Sequence, residues 1–232
     1  MKSRLVLASA HKTRLLLHLL ATVHLGYAIY YEYFYAQLPS VAVQLGLLAP
    51  VGGKFKYLTF LNGLLQCGYY LLASLHDLLR LQRLQQWRDY LLACLVLPLA
   101  LTLSVTFWTL CAIDGESIYP YFLELIYPKW LKWTMHCHVA VYALLELCTT
   151  AHQYPKRGRG LAGLTAALIL YLIWIYFVLF YTGIWIYPFL GALMPATRLC
   201  FFAAIILLAC GYYLVGERIN QVLWTSSREN GH

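Results

Sequence analysis

Long apolar runs alternate with short polar connections along the whole chain. The first covers about residues 15–35 and closes in the aromatic cluster Tyr30, Tyr31, Tyr33, Phe34 and Tyr35. Five more follow, at about 57–79, 90–113, 131–152, 161–182 and 196–215. A helix crossing a bilayer needs about 20 apolar residues. The pattern therefore predicts an all-α membrane protein of six transmembrane helices in one bundle, a single multi-pass domain over 1–232. The basic start followed by an apolar run is not read as a cleaved signal peptide. The run is too long, it ends in aromatics suited to a membrane–water interface, and no A-x-A site follows. Pro39, Pro50 and the pair Gly52-Gly53 punctuate the first loop, and Pro98 predicts a kink in the third span.

Composition agrees with a bilayer solvent. Only 11% of residues are charged and 62% are hydrophobic, against about 25% charged in soluble domains. The net charge of +8 sits in short loops, with no aromatic-interleaved basic patch, so a nucleic-acid partner is excluded. Twelve basic residues (Lys2, Arg4, Lys12, Arg14, Arg80, Arg83, Arg88, Lys156, Arg157, Arg159, Arg218 and Arg228) fall on one side of the six-span arrangement. Five (Lys54, Lys56, Lys129, Lys132 and Arg198) fall on the other. That asymmetry predicts cytosolic termini, with loops 36–56, 114–130 and 183–195 facing the lumen or the outside. The seven cysteines form no C-x-x-C pair and mostly lie in apolar runs, so they read as small buried hydrophobes.

Candidate chemistry gathers at the outer face. Thr59 lies about one turn into the second span and His136 near the start of the fourth, and both spans descend from that face. A hydroxyl and an imidazole thus share a depth, as a nucleophile and its base require. Read alone, Thr59 is either a helix hydrogen-bonder or a nucleophile; an ionisable His136 in a span is a functional candidate by default. His138 points to another face, His18 and His24 lie on different faces of span one, and Glu146 lies deeper with no partner that sequence can name. His138 and His152, fourteen residues apart, span about 21 Å on one helix. A stacked pair of haems would need a facing histidine pair, and only His76 is available in span two. No G-x-S-x-G, H-E-x-x-H, P-loop or C-x-x-C motif is present, so no cofactor or metal is expected. The triplet Ile-Tyr-Pro occurs at 118–120, 126–128 and 186–188, always on the outer side. It fits an aromatic belt, a partly apolar lid over a lipid-sized site, or both.

The run Gly53-Lys54-Phe55-Lys56-Tyr57-Leu58-Thr59-Phe60-Leu61-Asn62 resembles the signature of the androgen-induced / androgen-dependent TFPI-regulating protein family. Arg88-Asp89, Phe107-Trp108, Trp130-Leu131, Met135-His136, Gln153-Tyr154-Pro155 and Trp185-Ile186-Tyr187-Pro188 follow in that family's order. The resemblance covers about residues 50–220. It implies an integral-membrane threonine hydrolase that cleaves the ester bond of fatty acid esters of hydroxy fatty acids, with Thr59 as nucleophile and His136 as base. It also implies a lipid substrate and a place in the endoplasmic reticulum or plasma membrane. One departure stands out: the family commonly has Asn-His after Trp-Leu, where this chain has Lys132-Trp133. Asn62 is a candidate oxyanion donor, Glu116 a candidate orienter of His136, and Lys54 or Lys56 a candidate for the substrate's free carboxylate, unless the lysines are interface anchors. The alternatives are a non-catalytic membrane regulator or scaffold, and a transporter of a small amphiphile.

Overall fold

The computed structural model describes residues 2–37, 49–119, 121–124 and 126–229. Pro39 and Pro120 lie outside the described residues. Those residues form helices and connecting turns, with no strand among them. In order they are α1 (Lys2–Phe34), a 3-10 turn (Gly53–Lys56), α2 (Leu58–Leu79), α3 (Gln82–Leu91), α4 (Leu97–Ile118), α5 (Tyr121–Glu124), α6 (Lys129–Trp133), α7 (Val139–Thr149), α8 (Arg157–Thr182), α9 (Pro188–Ala192) and α10 (Pro195–Glu229). Two π-helical turns interrupt the series, Leu92–Val96 between α3 and α4 and Thr134–His138 between α6 and α7.

Four helical stretches are long and apolar enough to cross a membrane: Leu58–Leu79, Gln82–Glu116, Arg157–Thr182 and Pro195–Trp224. The expected first span, 15–35, overlaps α1, which ends at Phe34, and the expected fourth, 131–152, overlaps the α6–π–α7 series, which ends at Thr149. Several boundaries differ from the apolar pattern. The polar stretch Gln82–Leu91 is helical rather than a loop, and α10 runs fourteen residues past the expected end at Val215, to Glu229. Once a helix is nucleated, extending it through Gln, Arg, Glu and Leu is cheap, so helices outlast their apolar runs.

Just before Pro98 the helix departs from the regular α form. The π turn just before it shifts the bonding register, with the Leu97 N–H reaching back to the Leu92 carbonyl. Buried Gln66 of α2 donates to the Val96 carbonyl at 3.3 Å in that same turn. A neighbouring helix thus helps satisfy backbone near a residue that has no N–H to give. At the far end of α4, Asp114 leaves the helical region (φ −149°, ψ 83°), close to the expected end of the third span.

Two of the packed clusters join the long helices. Leu25 of α1, Tyr69 and Tyr70 of α2, Leu92 and Leu97 around the first π turn, and Val139 and Leu147 of α7 are fully buried together. Ala93, Leu99, Leu164, Leu168 and Tyr213 join that π turn to α4, α8 and α10. Fully burying one such large apolar side chain contributes about 1.5–3 kcal/mol in an aqueous reference. In a bilayer the gain comes instead from close packing and from polar bonds between helices.

Candidate active site

The site begins with how α2 starts. Gly52 (φ +87°) and Gly53 (φ +50°) take left-handed conformations that a side chain resists. A Cβ on Gly52 would also sit 3.1 Å from both the Lys56 Cβ and the Trp174 ring, so the chain turns there in close quarters. The 3-10 turn that follows points its two lysines inward. The Lys54 amine donates to the Ala36 carbonyl and the Tyr127 hydroxyl, and the Lys56 amine donates to the Ala49 carbonyl. Both side chains are buried, and neither lines the cavity described below. They are internal clamps on the loop, which corrects both expectations for them, substrate contact and interface anchor. Burial pushes the Lys54 amine down to about 8, against an opposing pull from Glu32.

The first free amide of α2 is satisfied by two tyrosines. The Leu58 N–H donates to the Tyr171 hydroxyl at 2.9 Å and to the Tyr187 hydroxyl at 3.0 Å. Tyr171 donates in turn to the Lys56 carbonyl at 3.0 Å. The start of α2 is thereby pinned to α8 and to the loop before α9, which fixes Thr59 one residue further on.

His136 reaches Thr59 from the second π turn. The Thr59 Oγ1 lies 3.4 Å from the His136 Nε2. The other ring nitrogen, Nδ1, lies 3.0 Å from the Lys132 carbonyl. A carbonyl only accepts, so Nδ1 carries the hydrogen and Nε2 turns its lone pair toward the Thr59 hydroxyl. The Lys132 carbonyl occupies the place expected for Glu116 as orienter. Phe107 stacks on the imidazole, with ring centroids 3.6 Å apart and planes at 21°. The Trp108 indole N–H donates to the His136 carbonyl at 3.2 Å. The π turn itself, a form of helix over-represented at functional sites, was not predicted.

Thr59 and His136 open on one cavity of about 480 Å³. Its walls are mostly apolar, including Leu110, Ile175, Phe201 and Ile205, with Glu32, Thr102, Thr106 and Lys132 as polar points. Tyr119, Tyr127 and Tyr187, one from each Ile-Tyr-Pro triplet, all line it. Asn62 is buried and neither of its amide atoms has a partner, but it is not part of the lining. Among the described residues no group of three or more His, Cys, Asp or Glu is arranged to hold a metal.

Residues 13–221 match the model of a family described as FAR-17a/AIG1-like protein. The chain belongs to the FAR-17a/AIG1-like family. The match begins well before residue 50, so it takes in α1 as well as the motifs read from sequence. The chain is similar to the human androgen-induced gene 1 protein, with 34% identity over 191 residues, 76% of this chain and 80% of that protein. It is 36% identical to the golden hamster (Mesocricetus auratus) androgen-dependent TFPI-regulating protein over 180 residues, 75% and 78% of the two chains. The human protein of that name is 31% identical over 212 residues, 88% and 92% of the two chains. No solved structure matches.

In this FAR-17a/AIG1-like chain the remaining candidates sit apart from the cavity. His18 bonds Asp77 at 2.8 Å and Glu146 at 2.7 Å. Glu146, whose partner sequence left open, also accepts from Tyr69 at 2.9 Å and faces His152 at 3.3 Å. His152 Nδ1 meets Asp89 at 2.9 Å, so both of its ring nitrogens face carboxylates. His138 contacts the Thr134 hydroxyl at 3.2 Å, and His24 meets the Tyr142 hydroxyl at 2.8 Å. Phe107, Tyr171 and Tyr187 are the site-shaping residues that sequence did not assign. Phe107 and Tyr187 sit in quoted motifs, and that was the available signal.

Proposed function

We propose that this protein is an integral-membrane threonine hydrolase that cleaves the ester bond of fatty acid esters of hydroxy fatty acids. The observation that carries the reading is the Thr59–His136 contact at 3.4 Å, with the imidazole held in the accepting tautomer, at the edge of an apolar cavity of lipid size. In the proposed reaction the His136 Nε2 takes the Thr59 proton while Oγ1 bonds to the ester carbonyl carbon. The tetrahedral intermediate then expels the hydroxy fatty acid, whose alkoxide oxygen takes the proton from His136. This leaves the fatty acyl group on Thr59. Water, deprotonated by His136, attacks that acyl-threonine, releases the fatty acid and restores the hydroxyl. The developing oxyanion needs donors. We assign this role to the Thr59 and Phe60 amides, the first-turn amides of α2 that are left once Tyr171 and Tyr187 take the Leu58 N–H.

In this reading six helices cross the bilayer with both termini cytosolic, because twelve of the seventeen basic residues fall on the terminal side. The site then faces the endoplasmic reticulum lumen or the cell exterior. A covalent hydroxyl-reactive hydrolase probe tests the chemistry. Labelling of Thr59 that disappears in Thr59→Ala and is competed by substrate is the expected result. A folded wild type that takes no label would return the protein to the class of non-catalytic membrane regulators.

A further inference from the structure

The cavity holds a cation, Lys132, whose acidic partner among the described residues is a part-exposed carboxylate. Lys132 is the one basic residue among the described cavity-lining side chains apart from the histidine base. Its amine sits 4.0 Å from the centre of the Tyr119 ring and 5.8 Å from that of Trp108. Aromatic faces hold an ammonium in place without cancelling its charge. Its acidic neighbour, Glu124, is 3.7 Å away; 42% of that side chain and 19% of the Lys132 side chain are exposed, so the pair is part-screened and weak. Among the described residues the Tyr119 hydroxyl has no hydrogen-bond partner. Glu32, the other charged side chain of the lining, lies within electrostatic reach of Lys54. Lys54 and Lys56 are committed to carbonyl and hydroxyl partners elsewhere.

We infer that Lys132 and Tyr119 form a carboxylate subsite, which binds the free acid end of the substrate while its ester lies at Thr59. The inference rests on the esterase reading for the position of the ester, though not for the subsite itself. Lys132 stands one helical turn before His136, and its carbonyl holds that imidazole. The cation and the base therefore share one face of the cavity. A carboxylate placed in an apolar cavity is costly unless it is paired, and a charge-assisted hydrogen bond to an ammonium supplies the pairing. A lipid ester that also carries a free carboxylate satisfies both points at once. A neutral ester of similar length leaves Lys132 with its part-exposed Glu124 pair alone.

The test measures binding and hydrolysis separately. Binding uses a non-hydrolysable ether analogue of a fatty acid ester of a hydroxy fatty acid, as the free acid and as its methyl ester, to purified protein in nanodiscs. Wild type is expected to prefer the free acid by about tenfold or more. Lys132→Gln is expected to lose that preference with methyl-ester binding unchanged, and Lys132→Arg to keep it. Glu124→Gln removes the competing carboxylate and is expected to tighten free-acid binding. A wild type that binds acid and methyl ester alike, or a Lys132→Gln variant that keeps the full preference, would overturn the subsite. Hydrolysis of the corresponding esters is then assayed with the same proteins. Free-acid preference in binding without any hydrolysis would remove the esterase reading and leave the subsite standing. Hydrolysis with no preference would do the reverse.

Discussion

Phe107 lies nearly flat against His136, ring on ring at 3.6 Å. With the Lys132 carbonyl at Nδ1 and the Thr59 hydroxyl at Nε2, this contact leaves the imidazole little freedom to turn. Phe107→Leu keeps an apolar side chain there but removes the flat surface. The expected effect is a fall in kcat of about tenfold with KM nearly unchanged, since general-base catalysis as a whole is worth about 10²–10⁴-fold. Phe107→Tyr should stay near wild type. Steady-state kinetics on the two variants checks this; equal losses in both would place Phe107 in substrate contact instead.

The cluster His18–Glu146–His152 is a matter of stability rather than catalysis. All three side chains are buried and none lines the cavity. Removing one partner from a buried charged set costs about 3–5 kcal/mol, because the others keep their desolvation penalty. Glu146→Gln is therefore expected to lower the thermal midpoint of the purified protein markedly, while activity per folded molecule stays close to wild type. An unchanged midpoint would contradict this account of the cluster.

Lys54 gives a pH signature. Its amine is pushed down to about 8 in the folded protein, from the ordinary lysine value of 10.5, chiefly by burial. Between those two values the unfolded chain binds the proton and the folded chain has released it, so stability rises with pH across that window. The gain from this one group is on the order of 3 kcal/mol. Below about pH 8 both states are protonated and the dependence from Lys54 vanishes. Thermal midpoints from pH 7.5 to 10.5 in wild type and Lys54→Met check the sign. The difference between the two should change in favour of wild type as pH rises; a flat difference would mean that burial does not lower the Lys54 amine.

The matching depth of Thr59 and His136 was legible because lysines and arginines mark loops and apolar runs mark spans, and two spans entering from one face bring their first turns level. What sequence could not show is what lies across a helix interface. One partner of Glu146 is His18, 128 residues away. The orienter of His136 is a backbone carbonyl, which residue identity does not advertise. Lys54 and Lys56 looked like interface residues because their neighbours are polar loop, yet their stems turn inward to carbonyls. Neither π turn has a sequence signal of its own. The Ile-Tyr-Pro triplets are visible in the sequence, but that Tyr119, Tyr127 and Tyr187 line one cavity is a matter of tertiary packing.

The measurement that bears most directly on the central claim is hydrolysis of a fatty acid ester of a hydroxy fatty acid by membranes carrying wild type, Thr59→Ala or His136→Ala at equal expression. The account predicts activity in the wild type and a loss of at least about 100-fold in each variant. Full activity in Thr59→Ala would contradict it, because no other residue is assigned to attack the ester.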